Sequence, residues 1–169
     1  MAETTVASSI ERLRAGLDAD VITAEDGRYD GARKVFYGSV DRRPAAIVRP
    51  AGATEAASVV LLAHETGLEL AVRSGGHSLA GHSVTEGGIV LDLSGLKELE
   101  IDLPGRAAWA ETGLTAGEYT AAVGAHGLAT GFGDTGSVGI GGLTPSEAGS
   151  ASSSASTASR STTSSQPSS

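Results

Sequence analysis

The sequence predicts an α+β fold, and three observations carry that prediction. Apolar runs of strand length, among them Ala45–Arg49, Leu68–Arg73 and Ile89–Leu93, alternate with stretches of helical spacing. The alternation is irregular, which fits α+β better than a repeated βαβ unit. The 169 residues include 24 glycines and only 4% aromatics, so bends and close backbone contacts are many, while 40% apolar residues suffice for a core.

Each element follows from a local signal. Val6, Ile10, Leu13 and Leu17 recur at helical spacing, and Ser8 with Glu11 has the form of a capping box, so a helix is predicted over 6–17. Val21-Ile22 and Val35-Phe36-Tyr37 are short apolar runs between polar turns. Ala45–Arg49 reads as a strand ended by Pro50. Thr54 is a good N-cap for a helix through His64 that stops at Gly67. Strands are then predicted at Leu68–Arg73, Ile89–Leu93, Glu100–Leu103 and Ala107–Glu111. Thr115 and Glu118 form a second capping box, opening a helix to His126 that ends at Gly127. From Pro145 to Ser169, twelve serines and three threonines among 25 residues leave too little apolar surface to offset the entropy of ordering, so disorder is expected there.

Charge and composition exclude several functions. A formal charge of −8 with a pI near 4.9 argues against nucleic acid, whose phosphates it repels. The absence of cysteine rules out disulfides and thiolate metal sites. His64, His77 and His82 lack the close ligand spacing of a zinc site, so no metal is expected. The N-terminus shows no signal-peptide pattern, and no apolar run approaches the ~20 residues that span a bilayer; a cytoplasmic protein without membrane contact is expected. Asp92, Asp102 and Glu111 fall in strand-like segments and read as solvated strand faces.

Two glycine-rich segments carry the chemistry. The first, Arg73-Ser74-Gly75-Gly76-His77-Ser78 with Gly81, His82 and Ser83 behind it, follows a predicted strand. Glycines there remove the Cβ atoms that keep a ligand off the backbone, and successive amides can form an anion-binding nest. With no cysteine in the chain, His77 is the strong nucleophile of this loop. The second segment runs from Thr130 through Asp134, Thr135, Gly136, Ser137, Val138 and Gly139 to Ile140, Gly141 and Gly142. Gly131, Gly133 and Gly136 match the Rossmann fingerprint letter for letter, but that motif needs a helix directly behind it. Residues 137–142 read as too glycine-rich to start one.

In wording and order these loops resemble those of FAD-linked oxidases with a vanillyl-alcohol-oxidase (PCMH) type of FAD-binding domain, the berberine-bridge-enzyme-like group in particular. The resemblance implies the N-terminal part of such a domain over residues 35–144, led in by a helical segment at 1–34 and followed by a disordered tail at 145–169. It implies FAD, joined covalently through a ring nitrogen of His77 to the flavin 8α-methyl carbon. Arg73, Ser74, Gly75, Gly76 and His77 would cradle the cofactor, with Ser78, Gly81 and Ser83 shaping its entry. On the second loop Asp134, Thr135, Gly136, Ser137, Val138, Gly139, Gly141 and Gly142 would do the same. Thr135 stands where some relatives carry a cysteine that makes a second flavin bond, so only the histidyl link is carried over.

The implied reaction is oxidation of a small organic substrate (an alcohol, sugar or secondary metabolite) by hydride transfer to the flavin. The catalytic base is expected in a region outside the resemblance, so no catalytic residue is assigned. Beyond Thr144 the family's pattern breaks off, as an out-of-frame reading of GC-rich coding DNA would produce, and a chain truncated inside its domain is expected. The competing expectation is therefore a non-catalytic product that binds FAD weakly or not at all.

Overall fold

The computed structural model describes residues 2–132 and 135–147. In chain order the elements are α1 (Ala2–Gly16), β1 (Asp20–Ile22), α2 (Tyr29–Ala32), β2 (Ala46–Arg49), α3 (Ala53–Thr66), β3 (Leu70–Arg73) and β4 (Ile89–Asp92). A 3₁₀ turn (Leu93–Gly95) leads to β5 (Leu99–Asp102), β6 (Ala107–Ala110), α4 (Ala116–Gly124) and α5 (Ile140–Glu147). The expected α+β class is what is found.

Four strands form one sheet in the order β1-β2-β4-β3, with β1 antiparallel to β2 and the other pairs parallel. Strands covered on both faces are written as unbroken apolar runs, as Ile47-Val48 and Ile89-Val90-Leu91 are. Val48, Ile89 and Leu91 pack with Leu13 of α1 and with Val59, Leu62 and Ala63 of α3. On the opposite face Ile47, Ala71 and Val90 pack with Ile22, Tyr29 and Val84. The Tyr29 hydroxyl inside this layer donates to the Pro44 carbonyl at 2.7 Å. A separate cluster under the antiparallel β5–β6 hairpin joins Ala108, Leu114, Tyr119, Val123 and Ile140.

Adjacent parallel strands cannot be joined by a tight turn; they need a long crossover, usually helical. Between β2 and β3 that crossover is α3, stopped by a left-handed Gly67. Between β3 and β4 no helix intervenes, and residues 74–88 cross as an irregular loop. This is the loop that bears His77.

The predicted capping box at Thr115 forms. The Thr115 hydroxyl accepts from the Glu118 amide, and the Glu118 carboxylate accepts from the Thr115 amide at 2.8 Å. A hydrogen bond from Lys97, then the Thr115 amide, pulls the Glu118 carboxyl down to about 2. Thr115→Ala is expected to cost roughly 1 kcal/mol, read as a shift in denaturation midpoint.

Three expectations need correction. Helix α1 begins at Ala2 and not near residue 6, so Ser8 is an exposed interior residue and caps nothing. Packing of Leu13 against α3 supports this helix, so its start needs no cap at Ser8. Asp92 is no solvated strand residue: it is 2% exposed and paired with two arginines. A helix does start inside the second glycine segment, at Ile140. The cost of glycine in a helix, about 1 kcal/mol each, is overridden by burial of Ile140 in the third cluster. The helix continues through Glu147, and the rest of the serine-rich tail lies outside the described residues. Among the described residues no helix is long and apolar enough to cross a membrane.

Candidate functional site

Ligands of open parallel sheets bind beyond the carboxyl ends of the strands, and here those ends are charged. Parallel register sets Arg73 of β3 beside Asp92 of β4, with Arg49 of β2 on its other side. The Asp92 carboxylate accepts from Arg73 at 2.7 Å and from Arg49 at 3.0 Å, and its other oxygen accepts from the Ser94 amide at 3.2 Å. Burial acts to raise the Asp92 carboxyl, but the Arg73 hydrogen bond and charge, with Arg49 and Ser94, outweigh it and hold the group below the usual carboxylate range. Arg73 also reaches the Lys34 carbonyl at 3.5 Å. The guanidinium thus anchors the root of the His77 loop, and Arg73 does not line the cavity above it.

The loop is then shaped residue by residue. Gly76 has φ +71°, a left-handed conformation that side chains rarely adopt, and its carbonyl accepts from the Phe36 amide at 3.1 Å. The Ser74 hydroxyl donates to the Thr112 carbonyl. Ser78 turns the chain back, its hydroxyl accepting from the His82 amide at 3.1 Å and its carbonyl from the Gly81 amide at 3.1 Å. Arg42 fastens the far side by donating to the carbonyls of Gly81 at 3.0 Å and Val84 at 2.9 Å.

The second glycine segment is laid against the first. Val138 and Gly136 offer their carbonyls to the amides of Ala116 and Gly117, both at 2.8 Å, and the Ile140 amide donates to Leu114 at 2.9 Å. This zips the bend onto the start of α4. The two loops then meet backbone to backbone: a Cβ built on Gly75 would lie 2.8 Å from the Gly139 Cα, and one on Gly139 would lie 2.9 Å from the Gly75 Cα. Neither position has room for a side chain.

His77 sits at this junction. Its Nε2 lies 3.1 Å from the Ser137 hydroxyl, and its ring stacks on Phe36 with centroids 4.0 Å apart and planes 21° apart. A cavity of about 780 Å³ opens beside it. Of the residues expected from sequence, Ser74, Gly75, Gly76, His77, Ser78, Ser83, Val138, Gly139, Gly141 and Gly142 line it. Val72, His82, Leu93, Thr112 and Leu143 complete the wall. Gly81, Thr135, Gly136 and Ser137 stand outside the lining, and Asp134 lies outside the described residues. The amides of Gly76, His77, Ser78 and Gly141 donate to no acceptor among the described residues. Phe36 was not foreseen; its only signal was being one of two phenylalanines in the chain.

Comparison with known proteins agrees with this geometry. The FAD binding domain family matches over residues 44–164. (R)-6-hydroxynicotine oxidase of Paenarthrobacter nicotinovorans is 35% identical over 127 residues, covering 75% of this chain and 28% of that protein. The crystal structure of 6-hydroxy-D-nicotine oxidase from Arthrobacter nicotinovorans superposes with a TM-score of 0.71 at 34% identity, covering 73% of this chain and 27% of the other. Glucooligosaccharide oxidase from Acremonium strictum, which has a 6-S-cysteinyl, 8α-N1-histidyl FAD, gives a TM-score of 0.72 at 25% identity, over 79% of this chain and 29% of its own. This chain therefore spans under a third of the length of these relatives. It belongs to the FAD-linked oxidases with a PCMH-type, berberine-bridge-enzyme-like FAD-binding domain, and its cofactor is FAD.

Proposed function

We propose that this chain is the FAD-binding portion of a flavin-dependent oxidoreductase in which the flavin is bonded to His77 and a small organic substrate is oxidised. The residues present fit the cofactor. A cavity of about 780 Å³ is in the range of cofactor sites, roughly 300–1,000 Å³. Its walls carry four amides without acceptors among the described residues, which suits an anionic pyrophosphate bound by a chain of net charge −8. The glycine pair at 75 and 139 keeps side chains out of the angle between the loops. When bound, FAD supplies a ring that accepts a hydride from the substrate.

What carries this reading is the position of His77. It is the imidazole held between the two glycine loops, fixed by Ser137 and Phe36 beside the cavity. The substrate class follows the family's range of alcohols, sugars and alkaloids. The expected result is that purified protein supplied with FAD keeps its yellow colour through acid precipitation, and that His77→Ala loses all acid-stable flavin. A wild-type pellet without flavin, from protein that also fails to bind FAD reversibly, would favour the non-catalytic reading instead.

A further inference from the structure

We propose that Ser137 is a positioning residue for His77, holding Nε2 so that Nδ1 is the nitrogen left for the flavin, with Phe36 setting the plane of the ring. The proposal rests on the histidyl-FAD reading and deepens it. The Phe36 stack, at 4.0 Å and 21°, restrains the tilt of the imidazole but does not distinguish the two orientations related by a half-turn about its Cβ–Cγ bond. A half-turn of the ring would exchange Nε2 with a carbon, which cannot replace it as a partner for the Ser137 hydroxyl at 3.1 Å. Stack and hydrogen bond together therefore select one orientation.

Ser137 is also compatible with the proton position that attachment needs: its hydroxyl can accept from Nε2–H, which leaves Nδ1 its lone pair. When Nδ1 bonds to carbon the ring becomes cationic with its proton on Nε2, and a hydrogen bond from a charged donor is stronger than one from a neutral donor. Attachment breaks one C–H bond of the flavin 8α-methyl group and forms the Nδ1–C bond. The methyl proton, the Nε2 proton and two electrons pass to the flavin ring, and dioxygen removes them as hydrogen peroxide.

Ser137 reaches His77 from sixty residues away in sequence, and does so because its bend is zipped to α4. Its side chain is exposed, so shortening it leaves the core untouched.

The test reads the imidazole directly. In the 169-residue protein labelled with ¹⁵N-histidine, His77 is assigned by its absence in His77→Gln, and nitrogen shifts report its tautomer and hydrogen bonding. Ser137→Ala should move the Nε2 shift away from its wild-type value, because the hydrogen bond at that nitrogen is lost. Ser137→Thr, which keeps the hydroxyl, should restore it. Given FAD, Ser137→Ala should bind flavin reversibly but convert roughly three- to tenfold less of it to the acid-stable form, the size that one hydrogen bond sets. Wild type lacking acid-stable flavin removes the reading beneath the proposal. Wild type with acid-stable flavin, and a Ser137→Ala variant unchanged in both nitrogen shift and flavin, overturns the proposal alone.

Discussion

Asp92→Ala is expected to lose about 3–5 kcal/mol of stability, because it leaves the Arg73 guanidinium buried without its partner. Against a total of roughly 5–15 kcal/mol for a domain, that loss is enough to unfold much of the population. Urea denaturation followed by circular dichroism checks it. The same carboxylate gives an acid limb. Its pKa is lower in the folded than in the unfolded chain, so its contribution is complete above the ordinary aspartate value of ~3.9 and is lost as pH falls through the folded value. Asp92→Asn should therefore show a flatter loss of stability below about pH 4 than wild type. An unchanged acid limb would mean that another group governs it.

Gly139→Ala is expected to open the junction between the two loops. The added methyl meets the Gly75 amide and the Ser74 hydroxyl, with the Gly75 Cα only 2.9 Å away, and a backbone atom cannot rotate aside as a side-chain tip can. Overpacking of this kind costs roughly 1–3 kcal/mol. Spent on separating His77 from Ser137, it should weaken FAD binding about tenfold or more, at ~1.4 kcal/mol per factor of ten. Gly124→Ala is the matched control. It is exposed in α4 away from the cavity lining, has nothing within 4 Å and no left-handed φ, so it should bind flavin as wild type and gain helix stability. Quenching of flavin fluorescence in a titration separates the two variants.

How far the sequence reveals this site depends on whether a residue's role is local. The runs at Ile47-Val48 and Ile89-Val90-Leu91 identify covered strands because burial on both faces leaves no polar alternation. The Thr115–Glu118 box is legible because its partners are three residues apart. His77 stands out through its glycine neighbours. Asp92 is misread because its burial follows from the pairing of β4 with strands on both sides, one of which ends in Arg49 and the other in Arg73. The start of α5 is hidden because what favours it is Ile140 in a cluster with Tyr119 and Val123, while local composition opposes it. Phe36 belongs to the site only through a stack across forty-one positions of sequence, which no spacing rule encodes.

The pinch between Gly75 and Gly139 has one more consequence. Drawing together points this far apart along the chain has an entropy cost that local hydrogen bonds do not offset in full. In the proposed binding mode a dinucleotide laid across both loops acts, until it is bonded to His77, as a removable crosslink. Whatever fraction of molecules has the pinch open lowers apparent affinity in proportion, and each bound cofactor raises the closed fraction in return. Loading and ordering of this region are thus a single equilibrium.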